Sequence, residues 1–203
     1  MKKLLFLPVL LAGLLLFAFA PEDTGYKIGD KVEDFKLKNV DGKMVSLADY
    51  SKARGFIVIF TCNHCPFSVA YEDRIIALHQ KYEAKGYPVV AINPNDPTIV
   101  PDDSYENMVI RAKEKSFPFK YLSDETQEVA RMYGASRTPH VFILRKEKDG
   151  LVVKYIGAID DNTDSPEDVT KRYVETAIDQ LSEGKDVLVP FTKAIGCTVK
   201  WKK

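Results

Sequence analysis

Phe56-Ile57-Val58-Ile59-Phe60 holds no polar position, and every residue in it is β-branched or aromatic. Such a run predicts a central strand buried on both faces. Directly after it the period changes. Val69, Ile75, Ile76, Leu78 and Tyr82 fall at helical spacing, which predicts a helix over about 67–85, closed by Gly86. Tyr87-Pro88-Val89-Val90-Ala91-Ile92 is a second apolar run, so strand, helix and strand form a βαβ unit with parallel strands. Upstream, residues 35–38 and 44–47 alternate on either side of Asp41-Gly42, the pattern of a hairpin. Downstream, Asp103 or Ser104 is placed to cap a helix over 105–115. A short extended segment follows at 117–122. Ser123 then caps a helix over 124–133, with Gln127 near the capping-box position and Gly134 past its end. Val141-Phe142-Ile143-Leu144 is another buried strand, and 151–157 is its hairpin partner across Lys148-Asp149-Gly150. Ser165, Pro166, Glu167 and Asp168 open a last helix running to about Ser182. The tail, 187–203, returns to strand-like apolar residues. The pattern fits one α/β domain over 21–203.

The first twenty residues do not belong to that pattern. Met1-Lys2-Lys3 is positive, Leu4 to Phe19 is apolar, and Ala18-Phe19-Ala20 ends it. This is the build of a secretory signal. Pro21 disfavours cleavage directly after Ala20, so residues 1–20 are expected to be a signal peptide cut nearby or a retained N-terminal anchor. The expected location is outside the cytoplasm, in a bacterial periplasm, with membrane attachment only if the leader is kept. The 203 residues carry 29 basic and 29 acidic side chains, and no basic run is interleaved with aromatics, which excludes nucleic acid as a partner.

The chemistry sits where the first buried strand hands over to the first helix: Cys62-Asn63-His64-Cys65-Pro66. Residues three apart at a helix start lie on one face, close enough to bridge. The free N–H groups and positive end of the helix stabilise a thiolate, the species that attacks disulfides and peroxides. His64, as imidazolium, would stabilise it further. A structural zinc site needs four ligands, and the chain has no second Cys-x-x-Cys to supply them; Cys197, His79 and His140 are the remaining candidates. No metal and no cofactor is expected. Cys197 is either a small apolar strand residue or an extra redox thiol. His140 is expected as a strand residue with a satisfied ring, His79 at the surface or its boundary, and Trp201 in packing. Asp160 to Asp164 has the D-x-N-x-D spacing of a calcium loop, but lacks the glycine at place six and has Lys171 at place twelve. Residues 93–103 form a loop with three prolines, too long for a minimal connection, and so an insertion or a lid near the site.

Ile28-Gly29-Asp30-Lys31-Val32-Glu33-Asp34-Phe35-Lys36-Leu37, followed by Asp41-Gly42-Lys43-Met44-Val45-Ser46-Leu47, resembles the opening of the alkyl hydroperoxide reductase/thiol-specific antioxidant (redoxin) family. The element order resembles the thioredoxin fold in its peroxiredoxin-like form. That implies a central mixed β-sheet flanked by helices, with an N-terminal β-hairpin and a C-terminal extension. Thr138-Pro139 resembles the cis-proline loop of thioredoxins, which implies that it lies against the dithiol and seats the substrate. Gly196-Cys197-Thr198-Val199-Lys200-Trp201 resembles the ending of a peroxiredoxin-like branch that carries a thioredoxin-type C-x-x-C. Read as a thioredoxin, Cys62 is the exposed nucleophile and Cys65 resolves it. Read as a peroxiredoxin, Cys65-Pro66 holds the peroxidatic thiol, with Arg137 the nearest arginine partner by loop position. The expected function is an exported thiol–disulfide oxidoreductase using Cys62 and Cys65, supported by His64, Thr138 and Pro139. Its partners would be a protein or small-molecule disulfide or dithiol, and a further redox partner that recycles it. The alternatives are a thiol peroxidase working through Cys65, and a protein that carries Cu(I) on Cys62 and Cys65 with His64 or His140 assisting.

Overall fold

The computed structural model describes residues 25–203. The expected leader lies outside them. No helix among the described residues is long and apolar enough to cross a membrane. Among the described residues ten strands and four α-helices follow in order: β1 (Lys31–Val32), β2 (Lys36–Asn39), β3 (Met44–Ser46), β4 (Gly55–Phe60), α1 (Pro66–Tyr82), β5 (Val89–Asn93), α2 (Tyr105–Glu114), β6 (Lys120–Ser123), α3 (Glu128–Tyr133), β7 (Arg137–Thr138), β8 (His140–Glu147), β9 (Gly150–Gly157), α4 (Tyr173–Ser182) and β10 (Cys197–Thr198).

Eight of the strands make one mixed sheet in the order β1-β9-β8-β4-β5-β6-β2-β3. β4 pairs parallel with β5 and antiparallel with β8, so the strand that feeds the cysteines lies near the middle. Alternation along β4 divides the core between the two sides of the sheet. Ile57 and Ile59, with Val89, Ala91, Val141 and Ile143, pack on Ile75, Leu78 and Tyr82 of α1 and on Val174, Ile178 and Leu181 of α4. Phe56, Val58 and Phe60, with Val90, Ile92, Phe142 and Leu144, pack on Val129, Ala130 and Tyr133 of α3 and on Phe35, Val45 and Leu47 from the hairpin region. Every residue of β4 is buried. The strand can therefore carry no polar side chain, and the first polar groups appear where it ends.

Several elements differ from the sequence-based expectation. α1 starts at Pro66 and stops at Tyr82, with Cys65 as N-cap, so both cysteines precede the helix rather than lying in its first turn. Val69, expected on its apolar face, is 37% exposed. α2 is capped by Ser104, whose Oγ accepts the Asn107 N–H at 3.3 Å; Asp103 is occupied elsewhere. α3 begins at Glu128, not at 124. Ser123 is still paired in β6, Asp124 turns its carboxylate onto the Ala130 N–H at 2.7 Å, and Gln127 takes a left-handed conformation with φ 62°. The last helix is split. Pro166–Asp168 is a single 3₁₀ turn, and α4 starts only at Tyr173 because Asp161 accepts the N–H groups of Thr170 and Lys171, each at 3.0 Å. These side-chain-to-backbone bonds offer the chain an alternative to the helix.

Candidate active site

β4 ends at Phe60, and Thr61 donates its N–H to the Ile92 carbonyl at 2.9 Å, holding the chain on β5 for one more residue. Cys62, Asn63, His64 and Cys65 then cross to the start of α1. Cys62 is 3% exposed and Cys65 0%. Cys62 is therefore not the exposed nucleophile that the thioredoxin reading expected; only its edge reaches solvent. All three cysteines are free.

The two sulfurs have different neighbours. Cys62 Sγ lies 3.3 Å from the Thr138 hydroxyl, 3.8 Å from Ser68 Oγ and 3.6 Å from His64 Nδ1. Cys65 Sγ lies 3.2 Å from the Thr138 carbonyl oxygen, an acceptor that a thiol satisfies and a thiolate does not. The Thr138-Pro139 peptide is cis. One residue thus faces both sulfurs, with its hydroxyl on Cys62 and its carbonyl on Cys65. The two thiols also act on each other's ionisation, so the pair gives up one proton easily and holds the second. The neighbouring Cys62 pushes the Cys65 thiol down, against the effect of burial. The neighbouring Cys65, then burial, then the Asp103 charge push Cys62 up. The remaining proton can sit on either sulfur, and only Cys62 has hydroxyls around it that could serve a charge.

Around this pair stands a polar frame. The long loop of residues 93–103 folds back over the cysteine turn and brings in Asp103, which is buried. Its Oδ1 accepts the N–H groups of Asn63 at 2.7 Å and His64 at 3.3 Å. Its Oδ2 pairs with His64 Nδ1 at 2.6 Å and accepts from Asn95 Nδ2 at 2.7 Å. Asn63 is fixed from two further sides, by the Tyr121 hydroxyl at 2.9 Å and by the Asp102 carbonyl at 2.8 Å. A proton on His64 Nδ1 serves both neighbours: it goes to Asp103, and it faces the Cys62 sulfur. Sequence reasoning offered Asp103 only as a helix cap and passed over Asn63 and Asn95. The signal that could have found them was the loop's excess length and its run of Asn and Asp. Cys62, His64 and Asp103 also bring ligand atoms within 4.8 Å of one another, a set that could hold a metal ion.

Residues 28–155 match the AhpC/TSA family. The chain belongs to that family. Its similarity to the thiol-disulfide oxidoreductase ResA of Geobacillus thermodenitrificans is 26% identity over 68% of this chain and 74% of that protein. A solved structure of an uncharacterized conserved protein from Geobacillus kaustophilus is 39% identical, covers 87% of this chain and 93% of that one, and superposes with a TM-score of 0.80. Peroxidoxin BcpB of Mycobacterium tuberculosis, at 18% identity, 64% and 84% coverage and a TM-score of 0.53, shares the thioredoxin-like fold. The AhpC/TSA chain is thus a redox protein of the thioredoxin-like kind.

The remaining candidates of this AhpC/TSA chain fall in different places. Cys197 is not a buried core residue. It is partly exposed, sits in β10 opposite Thr138, and is near enough to Cys65 for the two to shift each other's ionisation. Arg137 is turned to the tail, donating from Nη1 to the Gly196 carbonyl at 2.7 Å. His79 is buried rather than at the surface, and its Nδ1 accepts the Val89 N–H at 3.2 Å. His140 is 8% exposed, and its ring is not satisfied as expected: among the described residues Nδ1 has no partner. Burial, with Arg137 adding to it, pushes His140 down to about 4, so the ring is neutral near pH 7. Trp201 packs as expected, under the Arg131 guanidinium at 4.5 Å. The acidic loop wraps Arg74, which donates to Asp160 at 2.8 Å and to the carbonyls of Asn162 and Thr163. A guanidinium occupies the loop whose spacing is that of a calcium site.

Proposed function

We propose that the protein is an exported thiol–disulfide oxidoreductase that works through Cys62 and Cys65. What carries this reading is one arrangement: two thiols at a helix start, each hydrogen-bonded to Thr138 of the cis Thr138-Pro139 turn. One proton is shared between the two sulfurs; in the form that carries it on Cys65, the Cys62 thiolate, with the hydroxyls of Thr138 and Ser68 beside it, attacks a disulfide of a protein or small molecule. One half of that disulfide leaves as a thiolate and the other stays bound to Cys62. Cys65 then gives up its proton to the departing sulfur and attacks Cys62 Sγ. The Cys62–Cys65 disulfide forms, and the substrate leaves with two electrons more than it brought. The same steps run backwards oxidise a dithiol. A further dithiol or disulfide partner returns the pair to its starting state. Asp103 and His64 set the charge around Cys62, and so the ease of its ionisation. The charged leader and apolar stretch of residues 1–20 support export.

A second reading has one observation in its favour. Cys65 is the thiol pushed down, as a peroxidatic thiol would be. Its full burial and the engagement of Arg137 with Gly196 weigh against it. Insulin reduction with dithiothreitol separates the two readings when paired with stopped-flow oxidation by hydrogen peroxide. Fast exchange that needs Cys62, with peroxide oxidation no faster than a free thiol's, is the expected pair of results. Exchange that persists in full without Cys62 would remove the first reading.

A further inference from the structure

The C-terminal segment forms one wall of the site. β10 pairs with β7 so that Cys197 stands opposite Thr138, the residue that already faces both other sulfurs. The approach is closer than any side chain would allow at residue 196. A Cβ on Gly196 would lie 2.2 Å from the Thr138 carbonyl oxygen and 3.0 Å from Pro139 N. The segment is held on both sides of Cys197. Arg137 binds the Gly196 carbonyl at 2.7 Å, and Val199 donates its N–H to Ser136 at 3.1 Å. Beyond it, the Lys200 N–H goes to Asn95 Oδ1 at 2.8 Å, and its carbonyl accepts from Gln127 Nε2 at 2.8 Å. This anchoring brings the third thiol near enough to Cys65 for each to shift the other's ionisation. Cys65 Sγ and Cys62 Sγ both meet Thr138, Cys197 stands opposite the same residue, and Cys65 shifts the ionisation of both other thiols. Of the three thiols Cys65 is the most buried and Cys197 the most exposed.

We infer that the three cysteines form a relay in which Cys65 passes its disulfide from Cys62 to Cys197. The inference rests on the exchange reading above. After a turnover the oxidised bond joins Cys62 to Cys65. The Cys197 sulfur, its proton lost to solvent, attacks Cys65 Sγ. The Cys62–Cys65 bond breaks as the Cys65–Cys197 bond forms, and Cys62 leaves as a thiolate. No electron enters or leaves the chain in this step. Cys62 is free for the next substrate, while the disulfide now ends on the more exposed sulfur. A protein dithiol that recycles the enzyme then attacks Cys197 Sγ, releases Cys65, and closes its own disulfide. Substrate and recycling partner meet the molecule at different sulfurs. Burial and Cys65 push the Cys197 thiol up to about 11, so the internal step should quicken with pH, about tenfold per unit between pH 7 and 9.

The test is disulfide mapping of the protein after oxidation by one equivalent of diamide, acid quench, alkylation and trypsin. Cys62 and Cys65 share the tryptic peptide 55–74, while Cys197 falls on 194–200. The relay predicts a cross-link between those two peptides with Cys62 alkylated, in at least a tenth of the oxidised chains. It also predicts that Cys62→Ser oxidises to a monomer bridged between Cys65 and Cys197. A wild type that forms Cys62–Cys65 but never the cross-linked peptide overturns the relay and leaves the exchange reading intact. Oxidised Cys62→Ser held as free thiols, or as linked dimers, overturns it too. The absence of any Cys62–Cys65 bridge in the wild type would instead overturn the exchange reading itself. Should Cys62→Ser fail to fold, the wild-type map alone decides.

Discussion

The β4–α1 axis and the wall around it are built on opposite principles. The axis is apolar where it forms the core: every residue of β4 is buried, and the side of α1 facing the sheet packs Ile75, Leu78 and Tyr82 into it. Hydrophobic burial and backbone hydrogen bonds dominate there, with side-chain bonds such as His79 to Val89 and Arg111 to Glu72 added from α1. The wall, made of residues 93–103, the Thr138-Pro139 turn and the C-terminal segment, contributes little to that core. It is held by single bonds such as Asn95 to Asp103, Lys200 to Asn95 and Arg137 to Gly196. The axis fixes where the cysteines stand. The wall decides what surrounds their sulfurs, and so their chemistry. Changes to the axis should therefore appear in stability, and changes to the wall in redox behaviour.

The largest expected effect comes at the junction itself. Cys62→Ser should lower disulfide exchange by roughly three orders of magnitude or more, because a hydroxyl is not ionised at neutral pH. Insulin reduction measures it, and retained activity would break the division at its centre. In the axis, Ile57→Ala removes a fully buried side chain and should cost about 3 kcal/mol in urea unfolding, with the reduction potential unchanged. A shifted potential would show that the core tunes the site directly.

His140 tests the border between the two regions. Its backbone opens β8, while its unpartnered ring lies beside the wall. Its folded-state value is pushed down to about 4 by burial, below the usual 6.5. The unfolded chain therefore binds a proton between those values that the folded chain refuses, and stability falls as pH drops from 6.5 toward 4. The loss should be on the order of 2 kcal/mol. His140→Phe should flatten that part of the pH profile, which unfolding curves at pH 7 and pH 4.5 would show. In the wall, Asp103→Asn keeps the shape and removes the charge that helps push Cys62 up. The dithiol form gains, so the potential should become more oxidising by about 30 mV, equivalent to about 1.4 kcal/mol. A redox titration with no shift, or a more reducing value, would contradict the role given to Asp103.

The same contrast explains what could be read from the chain. β4, β5, β8 and α1 were legible because long apolar runs and helical spacing report burial directly, and their order together with Cys62-Asn63-His64-Cys65 and Thr138-Pro139 pointed to the thioredoxin-like fold. The wall was not legible. Asp103 looked like a cap for α2, since nothing local says that its carboxylate turns 39 residues back to His64. Ser123 and Ser165 carried cap signals, yet Asp124 and Asp161 bind N–H groups further along the chain, at Ala130 and at Thr170 and Lys171, and the helices start later. Cys197 looked like an ordinary strand residue because its neighbour Cys65 comes from the far side of the chain. Polar bonds between distant segments leave no period in a sequence.

The most direct measurement is a titration of the protein across a dithiothreitol and glutathione redox series, read by alkylation and mass spectrometry. The account predicts one two-electron transition that closes a bond between Cys62 and Cys65. Its midpoint should fall between the thioredoxin and DsbA values of about −270 and −120 mV. If Cys62 and Cys65 stay open to alkylation at every poise, the account is wrong.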